Sequence, residues 1–362
     1  MSELEEYFNN AFSVNLNMIN QLPLKDEGFV EVWREYLNES NVNGVFNTLK
    51  KHLPQLNFAI EKGMSQNAGY RAATLSEKIA EKTPDGKDFH VNRPDDVKLF
   101  IHETPAGSIP VIIVYDREDF VSFFRALACK NEPVEIPAST GACAVKGFNN
   151  LERLKNYKDK WVLENPFEIW ELEFENLSGR KEIYQDSFLL LSDGPYSGVP
   201  ACALGFETLK WREASLKIRL GHESAHYLTR RCLGSMRNHA HDELIADYAG
   251  ICHAFGEYKS SLFLKFCGIE KFPEIEPGGR INNYKGKPSL SEEAFQKMCG
   301  VLHDAALNVE LFDGRNRRNF SGRDFTTAAI LCLASLRLDE IAEKNSVDVL
   351  EKLLSKIKMT AA

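Results

Sequence analysis

The sequence lacks any apolar run of the length that spans a bilayer, which needs about 18 consecutive apolar residues. It also lacks an excess of positive charge, because 44 Lys and Arg against 52 Asp and Glu give a formal net charge of −8. Nucleic-acid binding by the chain as a whole requires a basic field. We therefore predict neither a membrane partner nor a nucleic-acid partner.

Paired-cysteine motifs are missing as well, and we expect no secretory leader. No two of the eight cysteines form a CxxC pair, and the acidic opening MSELEEYFNN has no basic region followed by an apolar core. We expect reduced thiols and a cytoplasmic location. The sequence also has no phosphate-binding glycine loop and no GxSxG elbow, so nucleotide-binding and serine-hydrolase classes are not supported.

Hydrophobic patterning divides the chain into parts of different character. Residues 1–90 have helical spacing and are expected to form an N-terminal helical region. Residues 91–206 hold the strand-like segments, whereas two helices are expected over 207–256 and further helices over 257–362. The clearest strand candidates are Val97–His102, Ile109–Tyr115 and Ser187–Leu191. Strands before residue 200 and helices after it predict an α+β fold with a small sheet and a helical C-terminal part.

Local signals refine the part that contains the sheet. Thr104–Gly107 is expected to form a hairpin turn between the first two strands. Asp116 is a suitable N-cap for a helix that continues to Cys129. Two further segments could add short strands, Val134–Ile136 and Ala142–Lys146.

Residues 222–226 read His-Glu-Ser-Ala-His, an HExxH motif. His222 and His226 stand at positions i and i+4, so a helix carries both on one face, where they can bind one metal ion together. Glu223 lies one step around the helix and can reach a metal-bound water as a general base. The surrounding apolar stripe predicts that this helix runs from Thr208 to Cys232.

A second segment, residues 239–250, follows the motif and places Glu243 and Asp247 four positions apart. Glu243 would complete a His₂Glu ligand set for one Zn²⁺ per chain, which leaves a fourth coordination position to water. Asp247 would accept the free ring N–H of a ligating histidine and fix its orientation. Three neighbouring residues remain open as alternative third ligands, namely His239, His241 and Asp242.

The sequence HESAH followed by an ExxxD helix resembles the gluzincin branch of zinc metallopeptidases. The resemblance covers residues 208–256 and implies a zincin-like metallohydrolase domain over 91–362. It implies ligands, a base and a supporting acid at His222, His226, Glu243, Glu223 and Asp247. The stretch 133–150 and the phrase SDGPYSGVP (192–200) are similar to uncharacterised bacterial zincin-like proteins, and zincins usually place a strand before the motif helix, so the 192–200 loop is expected near the metal.

The sequence departs from the gluzincin pattern at two points. Sixteen residues separate His226 from Glu243, slightly fewer than in the well-known gluzincins, and Arg219 stands where a small or β-branched residue is usual. The three-histidine zincin arrangement does not apply, because the position six residues after His226 is Cys232.

These features predict a zinc-dependent hydrolase, most directly a metallopeptidase that cleaves an amide bond of a peptide or protein with metal-activated water. Three alternatives remain open: a zincin-like protein that binds metal for structure or partner recognition, a helical interaction protein with an accidental motif, and a hydrolase of a non-peptide amide. A peptidase also needs a donor for the developing oxyanion. The candidates are His253, Tyr258, Tyr284 and His303.

Overall fold

The computed structural model describes residues 3–9, 14–75, 89–234, 239–320 and 324–360. Within these ranges the helices are α1 Glu3–Phe8, α2 Phe29–Asn43, α3 Val45–His52, α4 Ala68–Leu75, α5 Arg117–Ala128, α6 Leu151–Glu164, α7 Trp170–Asn176, α8 Thr208–Leu233, α9 His239–Phe255, α10 Ser260–Cys267, α11 Glu292–Asn316, α12 Phe325–Ala334, α13 Leu338–Ala342 and α14 Ser346–Thr360. The strands are β1 Lys98–His102, β2 Ile109–Ile113, β3 Ala142–Asn149 and β4 Gln185–Leu191. The predicted α+β class, with a small sheet before residue 200 and a helical C-terminal part, is confirmed.

The chain divides into two compact units. One unit comprises Lys25–Asp193, and the other comprises Met1–Leu24 together with Gly194–Ala362. This division differs from the boundary expected near residue 90. Helices α2 to α4 belong to the same unit as the sheet, whereas α1 belongs with the C-terminal helices.

The sheet has the strand order β1-β2-β4-β3 and mixes both directions of pairing. The β1–β2 pair is the predicted antiparallel hairpin, closed by a hydrogen bond from the Gly107 amide to the Thr104 carbonyl at 3.0 Å. Strand β4 lies parallel to β2 and antiparallel to β3. The register of β3 shifts between Lys146 and Phe148, where Gly147 adopts a φ of +67° that favours glycine.

The expected strand at Val134–Ile136 does not form. The Val134 carbonyl accepts from Arg125 Nε at 2.8 Å, and the Pro137 carbonyl accepts from the Arg117 guanidinium at 2.8 Å. Arginine side chains of α5 therefore satisfy carbonyls in this segment that a neighbouring strand would otherwise bind. Helices α6 and α7, which lie between β3 and β4, were not anticipated.

The core of the sheet unit is aromatic. Trp33 of α2 is fully buried against Phe188 of β4, and its indole N–H donates to Asp186 at 2.9 Å. Asp116 caps α5 as predicted, because its carboxylate accepts from the amides of Glu118 and Asp119.

His52 at the end of α3 lies between two carboxylates of the same unit. Its Nδ1 is 2.7 Å from Glu152 of α6, and its Nε2 is 2.8 Å from Glu39 of α2. The ring also stacks on Tyr36 at 4.1 Å. Burial alone lowers the pKa of His52, but hydrogen bonds to Glu152 and Glu39 outweigh burial and raise it. The imidazole of His52 therefore links α3 to α2 and α6 through its two carboxylate contacts.

The unit that comprises Met1–Leu24 and Gly194–Ala362 is built of helices. Nine of the ten residues of its helix α12 are buried. In the region 257–362, where further helices were expected, the described residues form five helices, α10 to α14. No helix in the described ranges combines the length and the hydropathy that crossing a membrane requires.

Candidate metal centre

The predicted motif helix and its partner segment are both helical and pack closely together. Helix α8 carries the HExxH motif, and α9 carries Glu243 and Asp247. Two glycines permit this approach: a Cβ at Gly221 would lie 2.9 Å from the Gly250 Cα, and a Cβ at Gly250 would lie 2.5 Å from the Ile218 carbonyl oxygen. Side chains that face each other across this contact are consequently brought within ligand distance.

His222, His226 and Glu243 converge on one point. Ligand atoms of the three residues all lie within 4.8 Å of one another. The two Nε2 atoms are 3.1 Å apart, and Glu243 oxygens lie 3.6 Å from His222 Nε2 and 3.8 Å from His226 Nε2. Two atoms that each lie about 2.0–2.2 Å from a tetrahedral zinc ion are about 3.3–3.6 Å apart. The observed separations bracket that value.

The opposite nitrogen of each imidazole faces a carboxylate. His222 Nδ1 is 2.7 Å from Asp247 Oδ1, and His226 Nδ1 is 3.3 Å from Asp242 Oδ2. In the neutral form of each ring, the nitrogen that faces the carboxylate would carry the proton, and Nε2 would present its lone pair to the point where the ligands converge. In that form the two lone pairs and the carboxylate repel one another unless a proton or a metal cation lies between them. The donor set therefore fits Zn²⁺, which takes imidazole and carboxylate ligands.

The carboxylates around His226 also favour a positive charge on its ring. Burial by itself lowers the pKa of His226, but the hydrogen bond and charge of Asp242 reverse that effect. The charges of Glu243 and Glu223 raise the pKa of His226 further, to about 9. A proton thus occupies the site when no metal does, and metal binding near neutral pH must displace it.

Asp247 is fully buried and accepts three donors. The hydroxyl of Tyr196 donates to its Oδ1 at 2.5 Å, beside the His222 ring, and Arg280 forms an ion pair with its Oδ2. Burial alone would raise the pKa of Asp247, but Arg280 and His222 outweigh burial and hold it well below its usual range. Asp247 therefore stays ionised and fixes the ring of His222, as its predicted supporting role requires.

Glu243 has its own supporting contact. The hydroxyl of Tyr284 donates to Glu243 Oε2 at 3.1 Å, and the carbonyl of Tyr284 accepts from the hydroxyl of Tyr7 at 2.8 Å. Burial raises the pKa of Tyr284 well above its usual value, so this phenol stays a hydrogen-bond donor. Tyr284, one of the four oxyanion candidates, therefore contacts a predicted ligand.

The alternative third ligands lie elsewhere. His239 is exposed at the start of α9. His241 is buried with its Nε2 3.2 Å from the Leu333 carbonyl, and burial lowers its pKa to about 4. Asp242 faces His226 Nδ1, on the side of the ring opposite Nε2. Geometry therefore favours Glu243 over these three residues.

Glu223 and the remaining oxyanion candidates occupy different environments. The Glu223 side chain is half-buried, and its charge contributes to the raised pKa of His226. Tyr258 is buried, and its hydroxyl has no hydrogen-bond partner in the described part of the chain. His253 is exposed on α9, and His303 packs on Phe272.

Two residues of this network were missed from the sequence. Tyr196 belongs to the glycine- and proline-rich segment before α8, which was expected near the metal without a residue being named. Arg280 lies in a 3₁₀ turn, Arg280–Tyr284, 33 residues beyond Asp247. Its neighbourhood carries no motif, so the sequence offered no signal for it. Arg219 occupies its unusual position because its guanidinium donates to the carbonyls of Gly194 and Pro195 beside Tyr196.

Comparison with known proteins identifies the family of the chain. A family model described as a family of unknown function, DUF7005, matches residues 1–345. No curated protein and no solved structure matches the chain.

Proposed function

The chain belongs to the DUF7005 family, whose function is unknown, and from that starting point we propose that it is a zinc-dependent hydrolase, most directly a gluzincin-like metallopeptidase. The observation that carries the proposal is the convergence of two imidazole Nε2 atoms and a carboxylate, with a further side chain in contact with each of the three residues. His222, His226 and Glu243 would hold one Zn²⁺ per chain. The substrate would be a peptide or protein.

In the proposed hydrolysis the protein would supply a general base, and the metal would act as a Lewis acid. When bound, Zn²⁺ lowers the pKa of water and polarises a carbonyl oxygen. Glu223 lies next to His222 in α8, and its carboxylate would take the proton from the attacking water and pass it to the leaving amine. Asp247 and Asp242 would keep the histidine rings oriented during this proton transfer.

Two observations support a hydrolase over a purely structural metal site. The ligand side chains retain 10%, 18% and 21% of their exposure for His222, His226 and Glu243, so the site is not sealed by protein. A structural zinc site closes its coordination with a fourth protein ligand, whereas the described residues offer a three-ligand group.

All eight cysteines are free, which fits action in a reducing compartment such as the cytoplasm.

A base substitution tests this proposal. Glu223→Gln should retain zinc and lose turnover by about 10²–10⁴-fold, because the amide cannot accept the proton. The assay is cleavage of a mixed peptide library by the zinc-loaded protein, followed by mass spectrometry. Glu213→Gln is the matched control, since Glu213 is an exposed glutamate on the same helix.

The outcomes separate the alternatives. Cleavage by the wild type and by Glu213→Gln, with none by Glu223→Gln, supports the proposed peptidase. Equal cleavage by Glu223→Gln contradicts its role as base. A wild type that binds zinc and cleaves nothing in the library favours a metal-binding protein without peptidase activity.

A further inference from the structure

A short turn, distant from the motif in the sequence, contacts two acidic residues of α9, Glu243 and Asp247. We propose that the 3₁₀ turn Arg280–Tyr284 is a positioning element of the metal centre, in which Arg280 holds Asp247 and Tyr284 holds Glu243. This inference rests on the metal site proposed above. It adds two positioning residues that no sequence motif indicates.

Arg280 acts on His222 through Asp247. Its guanidinium pairs with Asp247 Oδ2, and its Nη1 lies 3.2 Å from the Tyr196 hydroxyl, which donates to Oδ1 of the same carboxylate. The guanidinium carbon also lies 5.5 Å from the centre of the Tyr196 ring. Both oxygens of Asp247 are thereby fixed, and Oδ1 is directed at His222 Nδ1. Without Arg280 the buried carboxylate would lose its countercharge and its orientation.

Tyr284 acts on the third ligand directly. Its hydroxyl binds Glu243 Oε2, so one oxygen of the ligand is restrained and the carboxylate cannot rotate freely. The main chain of the same residue is held in turn by the Tyr7 hydroxyl of α1. The turn is therefore also anchored by a contact with α1.

One turn contacts two acids of α9. Glu243 and Asp247 are four residues apart on one face of α9, and Arg280 and Tyr284 are four residues apart in the turn. Arg280 contacts Asp247, and Tyr284 contacts Glu243. The turn thus supports both Glu243, a proposed ligand, and Asp247, the carboxylate that contacts the ligand His222.

Metal affinity and ligand geometry test the assignment. We would measure Zn²⁺ affinity by competition with a chelator, and the visible absorption of the Co²⁺-loaded protein, which reports ligand geometry. Tyr284→Phe should weaken Zn²⁺ binding by about 10–100-fold and change the Co²⁺ spectrum, because supporting hydrogen bonds contribute that much to metal affinity. Arg280→Gln should weaken binding similarly, and Arg280→Lys should restore part of it.

Tyr258→Phe is the matched control, because it removes a buried tyrosine hydroxyl that has no partner in the described structure. It should leave both readouts unchanged. If Arg280→Gln fails to fold, Tyr284→Phe still tests the turn. A wild type that binds Co²⁺, with Tyr284→Phe and Arg280→Gln indistinguishable from it, overturns this inference and leaves the proposed hydrolase intact. A wild type that binds neither Zn²⁺ nor Co²⁺ overturns both.

Discussion

The close contact between α8 and α9 makes Gly250→Ala a quantitative test of the site. The new Cβ would lie 2.5 Å from the Ile218 carbonyl oxygen and 3.3 Å from the His222 amide nitrogen. An ordinary carbon–oxygen contact is about 3.4 Å, so the two helices must separate by about 0.9 Å (3.4 − 2.5) at this point. Such overpacking costs about 1–3 kcal/mol, partly offset by about 1 kcal/mol because alanine favours a helix over glycine.

The net destabilisation should be up to about 2 kcal/mol, which corresponds to a fall in melting temperature of up to about 8 °C for a unit of this size. The same displacement lengthens the distance between the His222 and Glu243 ligand atoms, now 3.6 Å, so zinc affinity should fall at least about tenfold. Calorimetric unfolding and zinc competition would measure the two effects.

Gly314→Ala is the control for this substitution. Gly314 lies in α11, and a Cβ there would meet nothing within 4 Å. It should stabilise the protein by about 0.5–1 kcal/mol through helix propensity alone and leave zinc affinity unchanged. If Gly250→Ala behaved like Gly314→Ala in both measurements, the close packing that brings the ligands together would be refuted.

Two further predictions concern pH. Because the pKa of His226 is about 9 without metal, zinc must displace a proton, and apparent affinity should fall about tenfold per pH unit below that value; a titration that gave the same affinity at about pH 6 and 8 would contradict this. The folded-state pKa of His52 is raised by Glu39 and Glu152. Its contribution to stability is therefore complete below the unfolded value of about 6.5 and is lost as pH rises through the folded pKa. His52→Gln should then lower the free energy of unfolding more at about pH 6 than at about pH 9. Equal decreases at the two pH values, measured by denaturant unfolding, would refute this assignment.

The motif pair and its helix could be predicted because the chemistry is local. His222 and His226 need only helical spacing to share a face, and the apolar stripe around them places the helix. The choice of Glu243 over His239 and His241 needed the tertiary structure. All of these residues lie within about one turn of α9, and only the packing directs His241 into the core and Glu243 toward the histidines.

The supporting residues and part of the fold were out of reach for a physical reason. Tyr196 and Arg280 come from distant segments, so their contacts with Asp247 depend on how the chain returns to α9. Helix α7 has no buried residue, so burial imposes no apolar periodicity from which it could be recognised. The hairpin of β1 and β2 was predictable because its turn lies between two apolar runs.

The most direct test is the zinc content of the purified protein, compared with His226→Ala and Glu243→Ala. Elemental analysis should find about one zinc per chain in the wild type, as a three-ligand site requires, and a content close to zero in both variants. Loss in His226→Ala alone would keep the metal site and reject Glu243 as its third ligand. A wild type that holds no zinc, even after reconstitution with Zn²⁺, would contradict the metal centre itself.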